Sequence, residues 1–266
     1  MTTLLKYPGS KWNIASWIIS NFPSHKVYVE PFFGSGAVYF SKQPSYIEII
    51  NDISGDVVNL FKVCREQPYE LARALELTPF AREEFNNCVR IEGDNLERAR
   101  RTVVRYHQSY GGANSSINSW KNSQTGNSPR NPALWRDLPQ VVFEVCDRLK
   151  DAHIENRNAF ELIERYNNPE VLMYLDPPYL LSMRKHGLYK NEMSDMQHKE
   201  LLQLIKASKA QIILSGYDSE LYNSELEDWN TSERTATAQF GLKRTEKLYM
   251  NFSSNLLTME KQNAKR

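Results

Sequence analysis

Hydrophobic residues along this chain fall into short blocks, each closed by the same kind of punctuation. An apolar run from Lys26 to Val29 meets Glu30-Pro31 and then Gly34-Ser35-Gly36, after which Ala37, Val38 and Phe40 open a helix. That order reads as strand, glycine loop, helix. Tyr46 to Ile50 is rich in β-branched residues and stops at Asn51-Asp52, and an apolar-periodic stretch from Val57 to Val63 follows as the next helix. Val171 to Leu175 breaks at Asp176-Pro177-Pro178-Tyr179, and Ile212 to Leu214 breaks at Ser215-Gly216-Tyr217. Between those two runs, Ser194 and Gln197 have capping-box spacing ahead of Leu201, Leu202 and Ile205, one face of a helix.

Strands alternating with helices predict an α/β fold with a mostly parallel sheet, in which ligands bind beyond the carboxyl ends of the strands. The polar strand exits should therefore share one cleft. The stretch 67–150 breaks the rhythm: it reads as helical up to Tyr110, as a Gly/Asn/Ser-rich loop from Gly111 to Pro132, then as helical again. It is read as an inserted, mainly helical subdomain, leaving 1–66 and 151–266 for the core. No internal repeat is present, and the polar tail beyond Glu260 is expected to fray.

Composition narrows the class. A length of 266 residues supports a large core without staples, and Cys64, Cys88 and Cys146 lack disulfide-framework or zinc-ligand spacing. His25, His107, His153, His186 and His198 are scattered, so no metal is expected. No stretch approaches the ~18 apolar residues of a membrane span, and the N-terminus carries Lys6 and Lys11 where a signal peptide has its apolar core. A cytoplasmic protein, of a bacterium or a phage-infected cell, is expected, without a membrane partner. The net charge of +1 conceals an uneven distribution. From Arg98 to Arg136 the chain has Arg98, Arg100, Arg101, Arg105, Lys121, Arg130 and Arg136 and no acidic residue, a candidate basic patch.

The exits carry the chemistry. The third glycine of a dinucleotide fingerprint would fall at Tyr39, which disfavours a pyrophosphate and favours a cofactor without phosphates. Asp52 is placed either to accept hydrogen bonds from ribose hydroxyls or to cap a local turn. Asp176-Pro177-Pro178-Tyr179 is the sharpest signal. An exocyclic aromatic amine is a poor nucleophile because its lone pair is delocalised. The Asp176 carboxylate and the Pro177 carbonyl can accept from both of its N–H groups, and Pro178 rigidifies the backbone and donates nothing. Tyr179 offers a face for an extruded base.

These segments together resemble the Dam-type (D12 class) DNA adenine-N6 methyltransferases. The resemblance starts at Lys6-Tyr7-Pro8-Gly9-Ser10-Lys11, similar to the family's Lys-Trp-x-Gly-Gly-Lys. It continues through Glu30-Pro31-Phe32-Phe33-Gly34-Ser35-Gly36, Asn51-Asp52 and Asp176 to Tyr179. It implies a Rossmann-like methyltransferase core using S-adenosylmethionine, with Tyr7, Lys11, Glu30, Phe32, Gly34, Ser35, Gly36, Asp52, Asn158 and Asp176 around the cofactor. Asp176, Pro177, Pro178 and Tyr179 would surround an adenine flipped from duplex DNA. Tyr7 stands in place of the usual Trp, Ser10 in place of the second Gly, and Asn158 where relatives tend to carry Asp. The middle stretch does not reproduce the segment associated with GATC recognition, so no target sequence is implied.

That middle stretch still has the chemistry of a target-recognition region. Arg105, Lys121 and Arg130 suit guanine or phosphate, and Asn114, Asn118, Asn122, Asn127 and Asn131 carry the amide that reads adenine. Tyr106, Tyr110 and Trp120 add stacking surface. Arg184, Lys185, His186 and Lys190, after the Asp-Pro-Pro-Tyr motif, are placed to grip the backbone near the base. Alternatives are an N-methyltransferase acting on cytosine N4, an RNA base or a glutamine amide, and a DNA-binding homologue without catalysis. A monomer or weak dimer is expected, with a partner endonuclease left open.

Overall fold

The computed structural model describes residues 3–110, 119–122, 131–180, 191–237 and 243–253. Its elements begin with α1 (Ala15–Ser20), β1 (Val27–Glu30), α2 (Ala37–Ser41), β2 (Ile47–Asn51) and α3 (Gly55–Glu66). Five helices follow: α4 (Pro68–Glu76), α5 (Arg82–Asn87), α6 (Asn95–Gln108), α7 (Asn131–Arg136) and α8 (Leu138–Leu149). The chain then returns through β3 (Ala152–Glu155), α9 (Ala159–Arg165), β4 (Val171–Leu175), α10 (Asp195–Lys206), β5 (Gln211–Tyr217) and α11 (Glu220–Glu225). It closes with β6 (Asn230–Thr237) and β7 (Lys243–Met250).

One sheet runs in the order β3-β2-β1-β4-β5-β7-β6. β3 to β5 pair in parallel, while β7 pairs antiparallel with both β5 and β6. After β1 the chain winds to one side, and it resumes on the other side at β4. The carboxyl ends of β1 and β4 thus flank the topological switch point, where open α/β sheets bind ligands. This is the mostly parallel, Rossmann-like α/β architecture expected from the strand-exit pattern.

Side chains alternate across the sheet with the two-residue period of a strand. Tyr28, Ile50, Leu172, Tyr174 and Ile213 join the apolar cluster on one face. Val29, Ile49, Val171, Met173, Leu175, Ile212 and Leu214 join the other, with Leu162 of α9 and Leu201, Leu202 and Ile205 of α10. Burial on both faces explains why β4 reads as an uninterrupted apolar run. The helices of 67–150 share the first cluster: Val103, Val104, Leu138, Val142 and Leu149 pack in it with Tyr28 and Tyr174. At the end of α8, Arg148 pairs with Glu48 of β2, and its guanidinium lies 3.9 Å from the Tyr39 ring centroid. The packing that covers this face of the sheet is therefore continuous across residues 67 and 150.

Three strands were not anticipated. β3 has four residues and only its first is buried, so it carries no apolar run. β6 is the sheet edge and has the polar sequence NTSERTAT. β7 pairs with β5 as far as Tyr217↔Glu246, which carries β5 past the Ser215-Gly216-Tyr217 break expected to end it.

Candidate active site

β1 delivers Glu30 to the switch point, and the loop beyond it turns on two glycines with left-handed backbone, Gly34 at φ 49° and Gly36 at φ 66°. A Cβ on Gly36 would stand 2.5 Å from Phe33 Cζ and 2.6 Å from Phe40 Cε2, so the start of α2 closes only around glycine. At Gly34 the added atom would lie 3.1 Å from Tyr7 Cδ1. Asp52, at the exit of β2, braces this loop. Its Oδ2 accepts from the Gly34 N–H at 2.8 Å and its Oδ1 from the Ser54 N–H at 2.8 Å. The N-terminal segment is tied on through Ser10 Oγ and Ser35 Oγ, 2.8 Å apart, while Tyr7 stacks on Tyr106 of α6 at 5.3 Å between centroids.

β4 ends directly at Asp176. Lys11 Nζ lies 2.9 Å from Asp176 Oδ2, donates to the Gly9 carbonyl at 2.9 Å, and sits 4.7 Å from the Tyr179 ring centroid. The other oxygen, Asp176 Oδ1, is buried and has no hydrogen-bond partner among the described residues. A buried acceptor left open costs stability, of order 1–3 kcal/mol, and is accounted for by a ligand that donates to it. Burial pushes the Asp176 pKa up, and the Lys11 ammonium works against that shift.

Between the two strand ends lies a cavity of about 270 Å³. Tyr7, Lys11, Glu30, Phe32, Gly34, Ser35, Asp52, Asn158 and Asp176 all line it, with Pro178. Gly36 does not; it sets the turn behind the loop. Pro177 is buried, and Tyr179 faces a smaller recess with Leu180, Gly216 and Tyr217. Asn158 also caps α9, its Oδ1 accepting from the Phe160 N–H at 3.0 Å. Desolvation raises the Glu30 carboxyl to about 8, against the hydrogen bond donated by the Tyr28 hydroxyl. Burial lifts Asp52 to about 6, with its two N–H donors pulling the other way. Two carboxyl groups with raised pKa values therefore line the cavity, and a cationic ligand beside them would favour their ionised forms.

Residues read as nucleic-acid contacts fare differently. Arg105 is only 5% exposed, with its guanidinium 5.2 Å from the Phe85 ring centroid, so this residue belongs to the helical packing and is corrected out of the exposed basic patch. Arg98 pairs with Asp56, Arg100 with Glu84 and Glu97, and Arg101 with Glu97, so acidic partners on α3, α5 and the first turn of α6 itself offset these three cations. Trp120 leans on Phe80 and donates to Gln108 Oε1 at 3.2 Å. Lys121 Nζ donates to the His107 carbonyl at 2.9 Å, and burial beside Lys6 lowers its pKa to about 8. Asn114, Asn118, Asn127, Arg130, Arg184, Lys185, His186 and Lys190 lie outside the described residues. His107 and His198 are core histidines, bonded to the Leu4 carbonyl and the Tyr222 hydroxyl.

The family model of the D12 class N6 adenine-specific DNA methyltransferases matches residues 7–250, from Tyr7 at the cavity to the end of β7. This chain belongs to that class. The methyltransferase is 25% identical over 279 residues to a type II methyltransferase, M.MjaIII, of Methanocaldococcus jannaschii, covering 92% of this chain and 96% of the relative. It is 23% identical over 235 residues to a DNA adenine methylase of Salmonella typhi, covering 82% and 81%. A retron Ec67 DNA adenine methylase of Escherichia coli is 41% identical over 63 residues, 23% of this chain and 21% of the relative. The enzyme is thus an adenine-N6 methyltransferase whose substrate is DNA. Among its described residues no helix is long and apolar enough to cross a membrane.

Sequence reasoning missed several residues of the methyltransferase cavity: Ile53, Phe160, Glu192, Met193 and Gln197 also line it. Ile53 and Phe160 were within reach, since they directly follow Asp52 and nearly follow Asn158. Gln197 was read only as half of a capping box, a role it does play with Ser194.

Proposed function

We propose that the 270 Å³ cavity takes S-adenosylmethionine and that Asp176 holds the N6 amine of an adenine turned out of duplex DNA. The single observation that carries this reading is the buried Asp176 Oδ1, unbonded among the described residues, on a side chain that lines the cavity and whose Oδ2 is engaged by Lys11. When bound, the donor supplies an electrophilic methyl group and leaves as the neutral thioether S-adenosylhomocysteine.

This chain's residues then supply position rather than a covalent nucleophile. Lys11 favours the ionised form of Asp176 against the desolvation that raises its pKa, keeping it an acceptor. Asp176 Oδ1 and the Pro177 carbonyl accept from the two N–H groups of the amine, localising the nitrogen lone pair toward the methyl carbon. A donor held there would supply its methyl group to that nitrogen by direct displacement, and the one proton the nitrogen releases would pass by way of the Asp176 carboxylate to solvent, restoring the neutral base. Gly34 brings backbone close to the donor, and Asp52 holds that loop while keeping lone pairs for ribose hydroxyls. Tyr7, Glu30, Phe32, Ser35 and Asn158 complete the donor's walls. On the DNA side we assign Lys121, Trp120, Asn114, Asn118, Arg130, Arg184 and Lys185.

The test is to incubate the protein with S-adenosylmethionine and unmethylated genomic DNA, digest to nucleosides and identify modified bases by mass spectrometry. Wild type should yield N6-methyladenine confined to one short motif. Asp176→Ala should yield none while binding DNA with unchanged affinity. Methylcytosine, or methylation that survives Asp176→Ala, would refute the assignment.

A further inference from the structure

Tyr179 is the residue that the proposed reading sets against the extruded adenine, and its phenol is anchored from behind. The hydroxyl donates to Glu246 Oε2 at 2.7 Å and lies 3.4 Å from Ser215 Oγ. With its one proton given to Glu246, the phenol oxygen has only acceptor capacity left for Ser215. The Tyr217 ring meets Tyr179 edge to face, at 4.4 Å between centroids and 74° between planes. These contacts come from the antiparallel extension of the sheet. Tyr217 of β5 stands opposite Glu246 of β7, and Ser215, two residues back, is on the same face.

We infer that Glu246 is a positioning residue that fixes the ring plane of Tyr179 for the target base. Glu246 is 9% exposed. A carboxyl group in a strand interior costs desolvation that an aliphatic residue would avoid, so its retention calls for a partner, and the phenol is that partner. A ring held at its hydroxyl by one group and packed at a steep angle against another ring cannot tip or rotate freely about its side-chain torsions. Stacking on a base needs that orientation within about 10–20°. Glu246 is also close enough to Asp176 for its charge to be felt there, so the anchor and the amine acceptor belong to one electrostatic unit.

This inference rests on the stacking role proposed for Tyr179, and a double-mutant cycle separates the two. Steady-state methylation of DNA is measured for wild type, Glu246→Ala, Glu246→Gln, Tyr179→Phe, Tyr179→Ala and the pair Glu246→Ala with Tyr179→Phe. Glu246→Ala should lower kcat by about tenfold with the KM for the methyl donor unchanged. Tyr179→Phe should do the same, and the pair should be no slower than either single variant. Glu246→Gln, which keeps an acceptor oxygen, should recover most of the rate. Melting temperatures identify any variant that merely fails to fold, and Glu246→Gln and Tyr179→Phe, which preserve shape, keep the test open in that event. Multiplying losses in the double variant, or no recovery in Glu246→Gln, overturn the inference about Glu246 alone. A wild-type rate in Tyr179→Ala overturns the stacking role and this inference with it.

Discussion

At the scale of single residues, the cavity is defined by carboxyl groups with unequal environments. Glu30 is the most telling, with a folded-state pKa of about 8 against an ordinary 4.5. Between those two pH values the unfolded chain releases a proton that the folded chain keeps, so stability falls as pH rises through that window and levels above it. Glu30→Gln removes the titration. Its melting temperature should therefore decline less than that of wild type between pH 5 and pH 8, as followed by circular dichroism. Parallel declines would mean that Glu30 is already ionised in the fold at neutral pH. Asp176 and Asp52 were legible in the sequence because chemistry required a charged residue at a strand exit, and Lys11 only through the resemblance of its N-terminal segment to the family motif. Glu246 was not, because nothing in a strand's sequence says which buried tyrosine, 67 positions earlier, it will meet.

At the scale of elements, the glycine loop shows how closely local backbone and site are joined. Gly34 and Gly36 share left-handed backbone, yet what surrounds them differs: a methyl group at Gly36 strikes aromatic rings of the core, and at Gly34 it presses on Tyr7 at the cavity wall. Gly36→Ala should cost about 1–3 kcal/mol of stability by urea denaturation, from strained backbone and overpacking together. Gly34→Ala should cost less in stability and more in donor affinity by calorimetry, because Tyr7 must move. If the two variants rank the other way on both measurements, the loop does not work as described. Strands buried on both faces, β1, β2, β4 and β5, could be read from the chain because continuous apolar runs announce them. β3 and β6 could not, since a short strand and an exposed edge strand need no such run. β7 is recognisable only from the partner that it extends.

At the scale of the whole molecule, charge counted along the chain misled where charge counted in space does not. The cations of α6 face Asp56, Glu84 and Glu97, which lie outside the acid-free stretch or at its edge, so the α6 part of that stretch is a set of clasps joining α3, α5 and α6. Arg100, half-buried between Glu84 and Glu97, should therefore matter for stability and not for DNA. Arg100→Ala is expected to lower the urea midpoint while leaving the salt dependence of DNA binding untouched. Among the described residues Lys121 has one donor engaged, by the His107 carbonyl, and burial beside Lys6 makes a phosphate a favourable neighbour. Lys121→Ala should reduce the slope of log affinity against log salt by about 0.9, the share of one phosphate contact. Fluorescence anisotropy on a duplex at several salt concentrations decides between them. A slope change in Arg100→Ala would show that the α6 clasps open on DNA and that its cations reach the backbone after all; a slope unchanged in Lys121→Ala would remove Lys121 from the interface.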